Sequence, residues 1–447
     1  MKKYIRTYIP RRILNLRHLY YAWKGAREYG YPSKELIVIG ITGTSGKSST
    51  AFLLRQLLEA AGLAVGSLST IDFYIAGKQQ WNDQKMTMLG KMQVQQYLRK
   101  MVEHHCDVAI VETTSEGYLQ HRHRFIAYDG IVLTNLYPEH IDSHGSFENY
   151  KAAKLGIFSY VSHLSRKILA GKQVPRFCVV NAANEYANEF LQFAFDSSYL
   201  FARNDQVLYV EKKLLDDGMP LLLAKDVEVR KNGLHFDLDT MAINSRLFGE
   251  HNVSNILAAL GVCQALNIDI HQVIAKLGEI AGIPGRIEFL PQAEKHGYQA
   301  IVDYAFEPKA MEQLYSVVRL LNPTRVIHVL GSTGGGRDIE RRFTVGTMVG
   351  QRADIIVVTD EDPYDDDPET IMKDVASAVR KTGKKDNETL FQIVSRKEAI
   401  EKAVSLAQPG DIILVTGKGS EQAMVVKGSL IPWDDRSVLR AAIIARE

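Results

Sequence analysis

The sequence has 447 residues, more than one hydrophobic core usually organises, so two or three domains are expected. Its 46% hydrophobic and 24% charged residues are typical of a soluble globular protein, and a net charge of +2 gives no argument for nucleic acid as a partner. Cys106, Cys178 and Cys263 are odd in number and far apart, which favours a reducing cytoplasm over a disulfide framework or a zinc ribbon. No apolar run is long enough for a transmembrane span.

The chain opens with a basic stretch. Met1 to Lys24 contains seven lysines or arginines and no acidic residue, interleaved with leucine and aromatic side chains. This pattern predicts a short amphipathic helix within a basic N-terminal extension of residues 1–34. The helix could contact a membrane surface or a partner protein peripherally, or it could pack on the next domain with its basic face in water. We favour the second interpretation.

The stretch Gly40–Thr50 has the features of a phosphate-binding loop, because it joins the apolar run Leu36–Ile39 to a helical pattern through a glycine-rich turn. Backbone N–H groups at such a turn and the helix N-terminus attract phosphate. The ending Gly-Lys-Ser places Lys47 near the terminal phosphates and Ser48 near a Mg²⁺ ion. Ile41 stands where the strict pattern has a glycine, so the motif is a variant. The predicted nucleotide-binding residues of the loop are Gly43, Thr44, Ser45, Gly46, Lys47, Ser48 and Ser49.

Helical and strand patterns alternate after this loop and predict a mostly parallel sheet in a central domain of residues 35–294. The apolar strands Asp107–Glu112 and Gly130–Asn135 both end in polar residues. Ligands of such sheets bind at the carboxyl ends of the strands, so Glu112 and Asn135 lie where chemistry is expected.

The pattern changes twice more along the chain. Residues 198–244 show short alternating segments around the turn Asn232-Gly233, which predicts a small meander at the edge of the central domain. A fresh alternation of strands and helices predicts a Rossmann-like domain over residues 295–447. The expected fold class is therefore α/β, with a P-loop central domain and a C-terminal Rossmann-like α/β domain. The acidic stretch Asp360–Asp367 is interpreted as a solvated loop.

Three groups between the loop and residue 160 could carry chemistry: Glu112, the run His140-Ile-Asp-Ser-His144, and Lys154 in a helical segment. The His-x-Asp-x-His spacing by itself suits a zinc or iron site, which would make the protein a metallohydrolase. Beside a phosphate loop, oxygen-rich Mg²⁺ coordination with one imidazole is the better interpretation. A lone lysine such as Lys154 is most often a solvated helix residue.

Nine motifs follow one another in a fixed order along the chain: GITGTSGKS (40–48), ETTSEG (112–117), TNLYPEHIDSHG (134–145), ENYKAAK (148–154), GEHN (249–252), GRIE (285–288), VDYA (302–305), GKGSE (417–421) and DDR (434–436). In this order the sequence resembles the Mur ligase family from about Glu35 to the C-terminus. Within that family it is most similar to the ligases that add the third residue of the peptidoglycan stem.

The resemblance implies an ATP-dependent, ADP-forming ligase that joins an amino acid to a UDP-muramoyl peptide through an acyl phosphate, with ATP and Mg²⁺ as cofactors and small molecules as partners. It implies catalytic roles for Lys47, Glu112, His140 and Lys154. It also implies metal binding by Ser48, Glu112, His140 and Lys154, with Lys154 modified to a carbamate. Further nucleotide contacts fall to Asn252, Arg286 and Asp303. Substrate contacts fall to Thr87, Ser115 and Arg122 for the acceptor, and to Arg342, Tyr364 and Glu421 for the incoming amino acid.

The sequence also departs from the family pattern. Full-length members are expected to carry a uridine-nucleotide-binding domain before the phosphate loop, and here fewer than 40 residues precede Gly40. The motif Asp-Asn-Pro-Arg, which selects diaminopimelate, appears as Glu361-Asp-Pro-Tyr364, so the arginine that would pair with a distal carboxylate is lost. Two alternatives therefore stay open: a folylpolyglutamate-type ligase, and a nucleotide-binding subunit of a larger complex.

Overall fold

The protein is described here by a computed structural model that covers residues 11–139, 144–336 and 339–446. Two β-sheets organise it, one of eleven strands and one of six, and helices cover both faces of each. The first sheet contains the phosphate loop, and the second belongs to the C-terminal part of the chain. The predicted α/β fold class is confirmed.

The first sheet runs in the order β13-β12-β11-β10-β9-β6-β1-β5-β2-β3-β4. Its strands are β1 Ile37–Thr42, β2 Val65–Leu68, β3 Asp72–Ile75, β4 Lys78–Trp81, β5 Val108–Glu112, β6 Gly130–Leu133, β9 Phe177–Asn181, β10 Ser197–Arg203, β11 Leu221–Arg230, β12 Gly233–Leu238 and β13 Met241–Ser245. The seven strands from β11 to β2 are paired in parallel, and antiparallel strands flank them on both sides. A separate hairpin, β7 Lys167–Leu169 with β8 Lys172–Val174, lies between β6 and β9 in the chain.

Alternate residues of β1 point to opposite faces of this sheet, as the pleat requires. Ile39 and Ile41 enter the core formed with the helices Lys47–Ala60, His251–Ala265 and Ile270–Glu279. Val38 enters the second core, formed with the helices Lys91–Glu103, Phe147–Ser162 and Ala187–Leu191. Burial on both faces explains why the central strands are apolar throughout.

The second sheet runs in the order β14-β15-β19-β16-β17-β18, with strands Glu288–Phe289, Gln299–Asp303, Ile412–Thr416, Val326–Leu330, Ile355–Val358 and Leu390–Gln392. All neighbouring strands are parallel except β14 and β15. The helices Pro308–Leu321, Ile339–Arg352 and Pro368–Arg380 cover one face, and Arg396–Leu406 and Asp435–Ile444 cover the other. A hairpin of β20 Ala423–Val426 and β21 Ser429–Pro432 follows β19.

The remaining short helices are Ser115–Leu119 and Lys212–Asp216, with 3₁₀ turns at Pro32–Glu35 and Pro291–His296. The second sheet thus begins at Glu288, a few residues before the domain boundary expected at residue 295. The division into residues 1–34, 35–294 and 295–447 stays a prediction.

A helix does form in the basic N-terminal stretch, spanning Arg11–Glu28. Ala22 and Ala26 are buried, and Gly25 lies so close to Met92 that a Cβ there would approach the Met92 Cα to 3.0 Å. The helix therefore packs on Lys91–Glu103, as the favoured interpretation expected. Leu16 and Tyr20 on its outer side are exposed, and the peripheral contact through this face stays a prediction. No helix of the described residues is long and apolar enough to cross a bilayer.

The meander interpretation of residues 198–244 is wrong in part. Strand β10 pairs in parallel with both β9 and β11, so it continues the parallel sheet. Only β11, β12 and β13 form an antiparallel meander, and the predicted turn at Asn232-Gly233 joins the first two of them.

Candidate active site

The phosphate loop lies between β1 and the helix Lys47–Ala60, and its two glycines are required by close neighbours. At Gly43, with φ +152°, a Cβ would lie 1.8 Å from Thr134 Oγ1. At Gly46, with φ +79°, a Cβ would lie 2.4 Å from Asn255 Oδ1. Both positions also have positive φ, which glycine adopts without strain. The loop can therefore keep its backbone packed against Thr134 and Asn255 only with glycine at these two positions.

Two lysine amines meet at one carbonyl oxygen of this loop. Lys47 Nζ donates to Gly43 O at 3.0 Å and to Thr44 O at 2.8 Å, and Lys154 Nζ donates to the same Gly43 O at 2.8 Å. Lys154 is 1% exposed, so its interpretation as a solvated helix lysine is wrong. Burial, and then repulsion by Lys47, holds the pKa of Lys154 well below its ordinary value.

Glu112 lies beside these lysines at the end of β5 and is fully buried. Its carboxylate accepts hydrogen bonds from Thr70 N at 2.7 Å and Thr70 Oγ1 at 3.3 Å, and the nearby Ser48 hydroxyl lowers the pKa of Glu112. Burial raises the pKa of Glu112, and the Lys47 ammonium opposes that rise. Thr70 Oγ1 is also within 3.0 Å of Thr87 Oγ1, which links a predicted substrate residue to Glu112 through one hydroxyl.

Asn135, two residues after β6, stabilises the phosphate loop through hydrogen bonds. Its position after a strand did not by itself predict this role. Its side-chain Oδ1 accepts hydrogen bonds from Thr44 N at 3.2 Å and Ser45 N at 2.9 Å. Tyr150 Oη donates to Thr44 Oγ1 at 3.1 Å from the helix that carries Lys154. The first turn of the loop is thereby fixed from two sides.

Glu139 is a site residue that sequence reasoning missed. Burial raises the pKa of its carboxyl, while Lys47, Lys154 and Arg341 all lower it, which places the group among the cations of the site. Its position in the Tyr-Pro-Glu-His run, just before a predicted ligand, was the available signal. His140 itself lies outside the described residues.

The predicted nucleotide residues lie on both sides of the junction between the two sheets. Asn252 Oδ1 accepts a hydrogen bond from Asn255 Nδ2 at 2.9 Å, and Asn255 lies directly against Gly46. The Arg286 guanidinium lies 4.1 Å from the centroid of the Tyr304 ring. Asp303 accepts from Ile287 N at 2.6 Å and from Ala305 N at 2.7 Å, so its carboxylate fixes the turn that carries Arg286.

The predicted acceptor residues Ser115 and Arg122 lie near the end of β5. Ser115 begins the helix Ser115–Leu119 and its Oγ is 3.1 Å from His144 Nε2. Arg122 donates to the Met88 carbonyl and, through Nη2, to Gln120 Oε1 at 2.8 Å. Arg122 therefore holds the segment that contains Thr87.

The predicted amino-acid residues gather at the carboxyl ends of the second sheet. Arg342 is 5% exposed and donates to Asp374 Oδ2 at 2.9 Å and to Thr333 O at 3.3 Å. Glu421 accepts hydrogen bonds from Tyr304 Oη at 3.2 Å and Lys418 Nζ at 2.7 Å. Tyr364 bonds Val425 O through its backbone N–H at 3.1 Å.

The interpretation of residues 360–367 as a solvated loop is wrong at Glu361 and Asp362. Glu361 is 3% and Asp362 is 4% exposed. Burial raises the pKa of Glu361 to about 7. Asp362 is instead paired, since Lys418 Nζ lies 3.0 Å from its Oδ2. The sequence alone suggests a solvated acidic loop because the lysines that pair with Asp362 are distant in sequence.

The described residues contain no group of three or more His, Cys, Asp or Glu side chains that could hold a metal ion by themselves. The Ser48 hydroxyl, the Glu112 carboxylate and phosphate oxygens from a bound nucleotide are the donor set that Mg²⁺ prefers. His140 and Asp142 of the His-x-Asp-x-His run lie outside the described residues.

A phosphate loop that requires its glycines, two lysine amines at one loop carbonyl and a buried carboxylate near the loop serine define a P-loop nucleotide-binding protein. A second α/β domain faces this site, since Lys309 Nζ lies 4.5 Å from the Tyr137 ring centroid and Arg436 lies 4.1 Å from that of Trp81. Such an arrangement can bring a phosphorylated group and a second substrate together between two domains.

Comparison with known proteins identifies the family. The model of the Mur ligase middle domain matches residues 41–263, and that of the Mur ligase glutamate ligase domain matches residues 285–419. The chain belongs to the Mur ligase family. Members of this family are ATP-dependent, ADP-forming ligases of peptidoglycan synthesis, so the predicted enzyme class is confirmed.

Individual relatives cover most of the chain. UDP-N-acetylmuramyl-tripeptide synthetase of Roseiflexus sp. (strain RS-1) is 34% identical over 421 residues, 93% of this chain and 80% of that protein. UDP-N-acetylmuramoyl-L-alanyl-D-glutamate–2,6-diaminopimelate ligase of Clostridium botulinum is 30% identical over 421 residues, 93% of this chain and 79% of that protein. The ADP- and AMPPCP-complexed folylpolyglutamate synthase of Mycobacterium tuberculosis has a TM-score of 0.64 at 17% identity, covering 96% of this chain and 94% of that one. The last likeness shows the fold alone.

Proposed function

We propose that this protein adds an amino acid to a UDP-muramoyl peptide, using ATP to activate the terminal carboxylate of the peptide. The observation that carries the proposal is the convergence of the Lys47 and Lys154 amines on Gly43 O, with Glu112 and Ser48 beside them. A relative named UDP-N-acetylmuramyl-tripeptide synthetase is 34% identical over almost the whole chain, which supports a UDP-muramoyl peptide as the acceptor substrate.

The loop residues fit a nucleotide polyphosphate. Glycine at 43 and 46 allows the tight turn that packs against Thr134 and Asn255, and the Lys47 amine lies at the loop, where it donates to the carbonyls of Gly43 and Thr44. Ser48 and Glu112 would hold Mg²⁺, together with His140. When bound, the metal would neutralise negative charge on the phosphoryl group during its transfer.

The surroundings of Lys154 support a carbamate at this position. A lysine reacts with CO₂ only as the neutral amine, and burial together with Lys47 lowers the pKa of Lys154, which favours that form. The carbamate would replace this amine with an anionic oxygen ligand beside the Lys47 ammonium. We propose that Lys154 acts in this form.

Asn252, Arg286 and Asp303 would contact the nucleoside part of ATP where the two domains meet. The γ-phosphoryl group moves to the peptide carboxylate, giving ADP and an acyl phosphate. The amine of the incoming amino acid then attacks the acyl carbon, phosphate leaves, and the nitrogen loses a proton to give the amide. Lys47 and the helix N-terminus stabilise the phosphate charge, and Thr87, Ser115 and Arg122 position the acceptor.

For the amino acid we propose one without a second carboxylate, such as lysine or a small neutral one, in preference to diaminopimelate. The resemblance assigns the α-carboxylate to Arg342, which would exchange its bond to Asp374 Oδ2 for that carboxylate, and Tyr364 stands where a second arginine would pair with the distal one. An unpaired carboxylate removed from water costs roughly a few kcal/mol, enough for about a hundredfold discrimination.

A substrate panel tests the proposal. Purified protein is given ATP, Mg²⁺ and UDP-muramoyl peptides with single amino acids, and products are read by mass spectrometry with phosphate release as the rate. An amide product and stoichiometric phosphate support the proposal. Turnover with folate and glutamate alone would assign the protein to the folylpolyglutamate type, and absence of turnover with all pairs would leave the role of a nucleotide-binding subunit.

A further inference from the structure

A buried cluster of four charges joins the two domains beside the proposed amino-acid site. Lys85 of the central domain reaches into the C-terminal domain, where its Nζ pairs with Asp362 Oδ2 and lies 3.0 Å from Glu421 Oε2. Lys418 Nζ bonds the same two carboxylates, at 3.0 Å and 2.7 Å. The side chains are 10% exposed for Lys85, 0% for Lys418, 5% for Asp362 and 15% for Glu421.

The segment around Lys85 is held in place from the central domain. Asn82 Nδ2 donates to Met86 O at 3.0 Å, and Arg122 donates to Met88 O. Lys85 itself has a φ of +48°, in the left-handed region that a side chain rarely occupies. Strained backbone of this kind persists only where its surroundings fix it, and it concentrates at functional sites.

The charges of the cluster balance. Two ammonium groups face two carboxylates, and each carboxylate contacts both ammonium groups. Lys418 also donates to Ala423 O at 2.7 Å, so it is fixed within the C-terminal domain, whereas Lys85 enters from outside that domain. An additional cation placed here would give this neutral cluster an excess of positive charge in a poorly hydrated site.

We infer that Lys85 is a built-in counter-ion that occupies the cation-binding part of the amino-acid pocket and excludes incoming amino acids with a side-chain ammonium. The inference rests on the proposed function, and it narrows the preferred class from lysine or a neutral residue to a neutral residue. From the sequence alone, the acidic loop would be expected to attract lysine as a substrate. In the structure, however, Lys85 and Lys418 already compensate the charge of Asp362. Lys85 therefore acts as a specificity-determining residue through Asp362 and Glu421.

The test compares L-lysine with L-norleucine, which has the same length and no ε-ammonium. Wild-type protein, Lys85→Met and Lys85→Arg receive an equimolar mixture of both amino acids with ATP and acceptor, and the product ratio is measured by mass spectrometry. We expect Lys85→Met to raise the ratio of lysine to norleucine product at least tenfold, and Lys85→Arg to keep the wild-type ratio. A ratio is unaffected by partial loss of active protein.

Two further variants complete the design. Lys78→Met removes an exposed lysine from the neighbouring strand and should leave the ratio unchanged. Lys85→Gly removes the same charge as Lys85→Met while suiting the positive φ, so it replaces that variant if the methionine destabilises the segment. An unchanged ratio in Lys85→Gly would overturn the inference, as would selective loss of diaminopimelate use, which would assign Lys85 to a distal carboxylate.

A binding measurement separates this inference from the proposed function. If no variant makes product with any amino acid, the proposed function fails. Calorimetry on the nucleotide-loaded protein then compares L-lysine and L-norleucine directly. At least tenfold tighter lysine binding in Lys85→Gly, with norleucine within twofold of wild type, supports the counter-ion role. If wild type and Lys85→Gly bind L-lysine equally, or if neither protein binds it, the counter-ion role of Lys85 is overturned.

Discussion

Replacing Gly46 by alanine tests whether the close contact with Asn255 stabilises the phosphate loop. The change forces a side chain into φ +79° and brings its Cβ to 2.4 Å from Asn255 Oδ1. A left-handed residue costs about 1 kcal/mol. If Asn255 moves away, it loses its bonds to Asn252 at 2.9 Å and to Thr50 Oγ1 at 3.4 Å, each about 1 kcal/mol when buried. The expected loss of stability is about 3 kcal/mol, and ATP affinity should fall with it.

Gly62 provides the matched control, because it follows the same helix with φ +85° and no atom lies within 4 Å of the position of its Cβ. Gly62→Ala therefore measures the backbone cost alone, about 1 kcal/mol. Urea denaturation followed by circular dichroism gives the stabilities, and calorimetry gives ATP affinity. Gly46→Ala in an Asn255→Ala background should cost little more than Gly62→Ala. Equal losses for Gly46→Ala and Gly62→Ala in the wild-type background would refute the reasoning.

Three further outcomes are expected. Lys47→Ala should abolish ATP turnover at an unchanged melting temperature, because among the described residues its amine bonds loop carbonyls and no core group; unchanged turnover would remove the loop from the mechanism. Lys154→Ala and Lys154→Arg should both be inactive, since neither forms a carbamate, with partial rescue of the alanine variant by small carboxylates; a fully active arginine variant would contradict the carbamate. In competition at equal concentration, lysine should exceed diaminopimelate in the product by about a hundredfold; a product dominated by diaminopimelate would mean that another cation replaces the missing arginine.

Local sequence pattern was sufficient for most of the fold. The alternation expected over residues 295–447 includes strands at Val326–Leu330 and Ile412–Thr416, and a helix follows the glycine-rich turn of the phosphate loop, as expected. Short apolar runs identify buried parallel strands because both faces of such strands are covered. The pattern failed for β9, Phe177–Asn181, which is fully buried in the middle of the sheet but was not recognised between its neighbours.

The site was predictable where a motif is contiguous, as in the phosphate loop, and less so where its residues interact with distant ones. The support of Gly46 by Asn255 and the meeting of Lys154 with Gly43 O join residues more than a hundred positions apart. Such contacts follow from which strands lie side by side, and the alternation of strands and helices does not give their order in the sheet. The roles of the individual site residues remain predictions that the variants above test.

The acidic loop shows why charge counted along a sequence is a poor guide to the field in a pocket. Asp362 and Lys85 are 277 positions apart, yet they share a hydrogen bond across the domain junction. Counting the acids of residues 360–367 alone predicts attraction for a basic substrate. Once Lys85 and Lys418 are included, the charges of Asp362 and Glu421 are balanced. Because close charges in a buried site interact far more strongly than exposed ones, these two lysines outweigh the more exposed acids farther along the loop. We therefore expect a change at Lys85 to alter the amino-acid specificity of this ligase more than a change at any exposed acid of the loop.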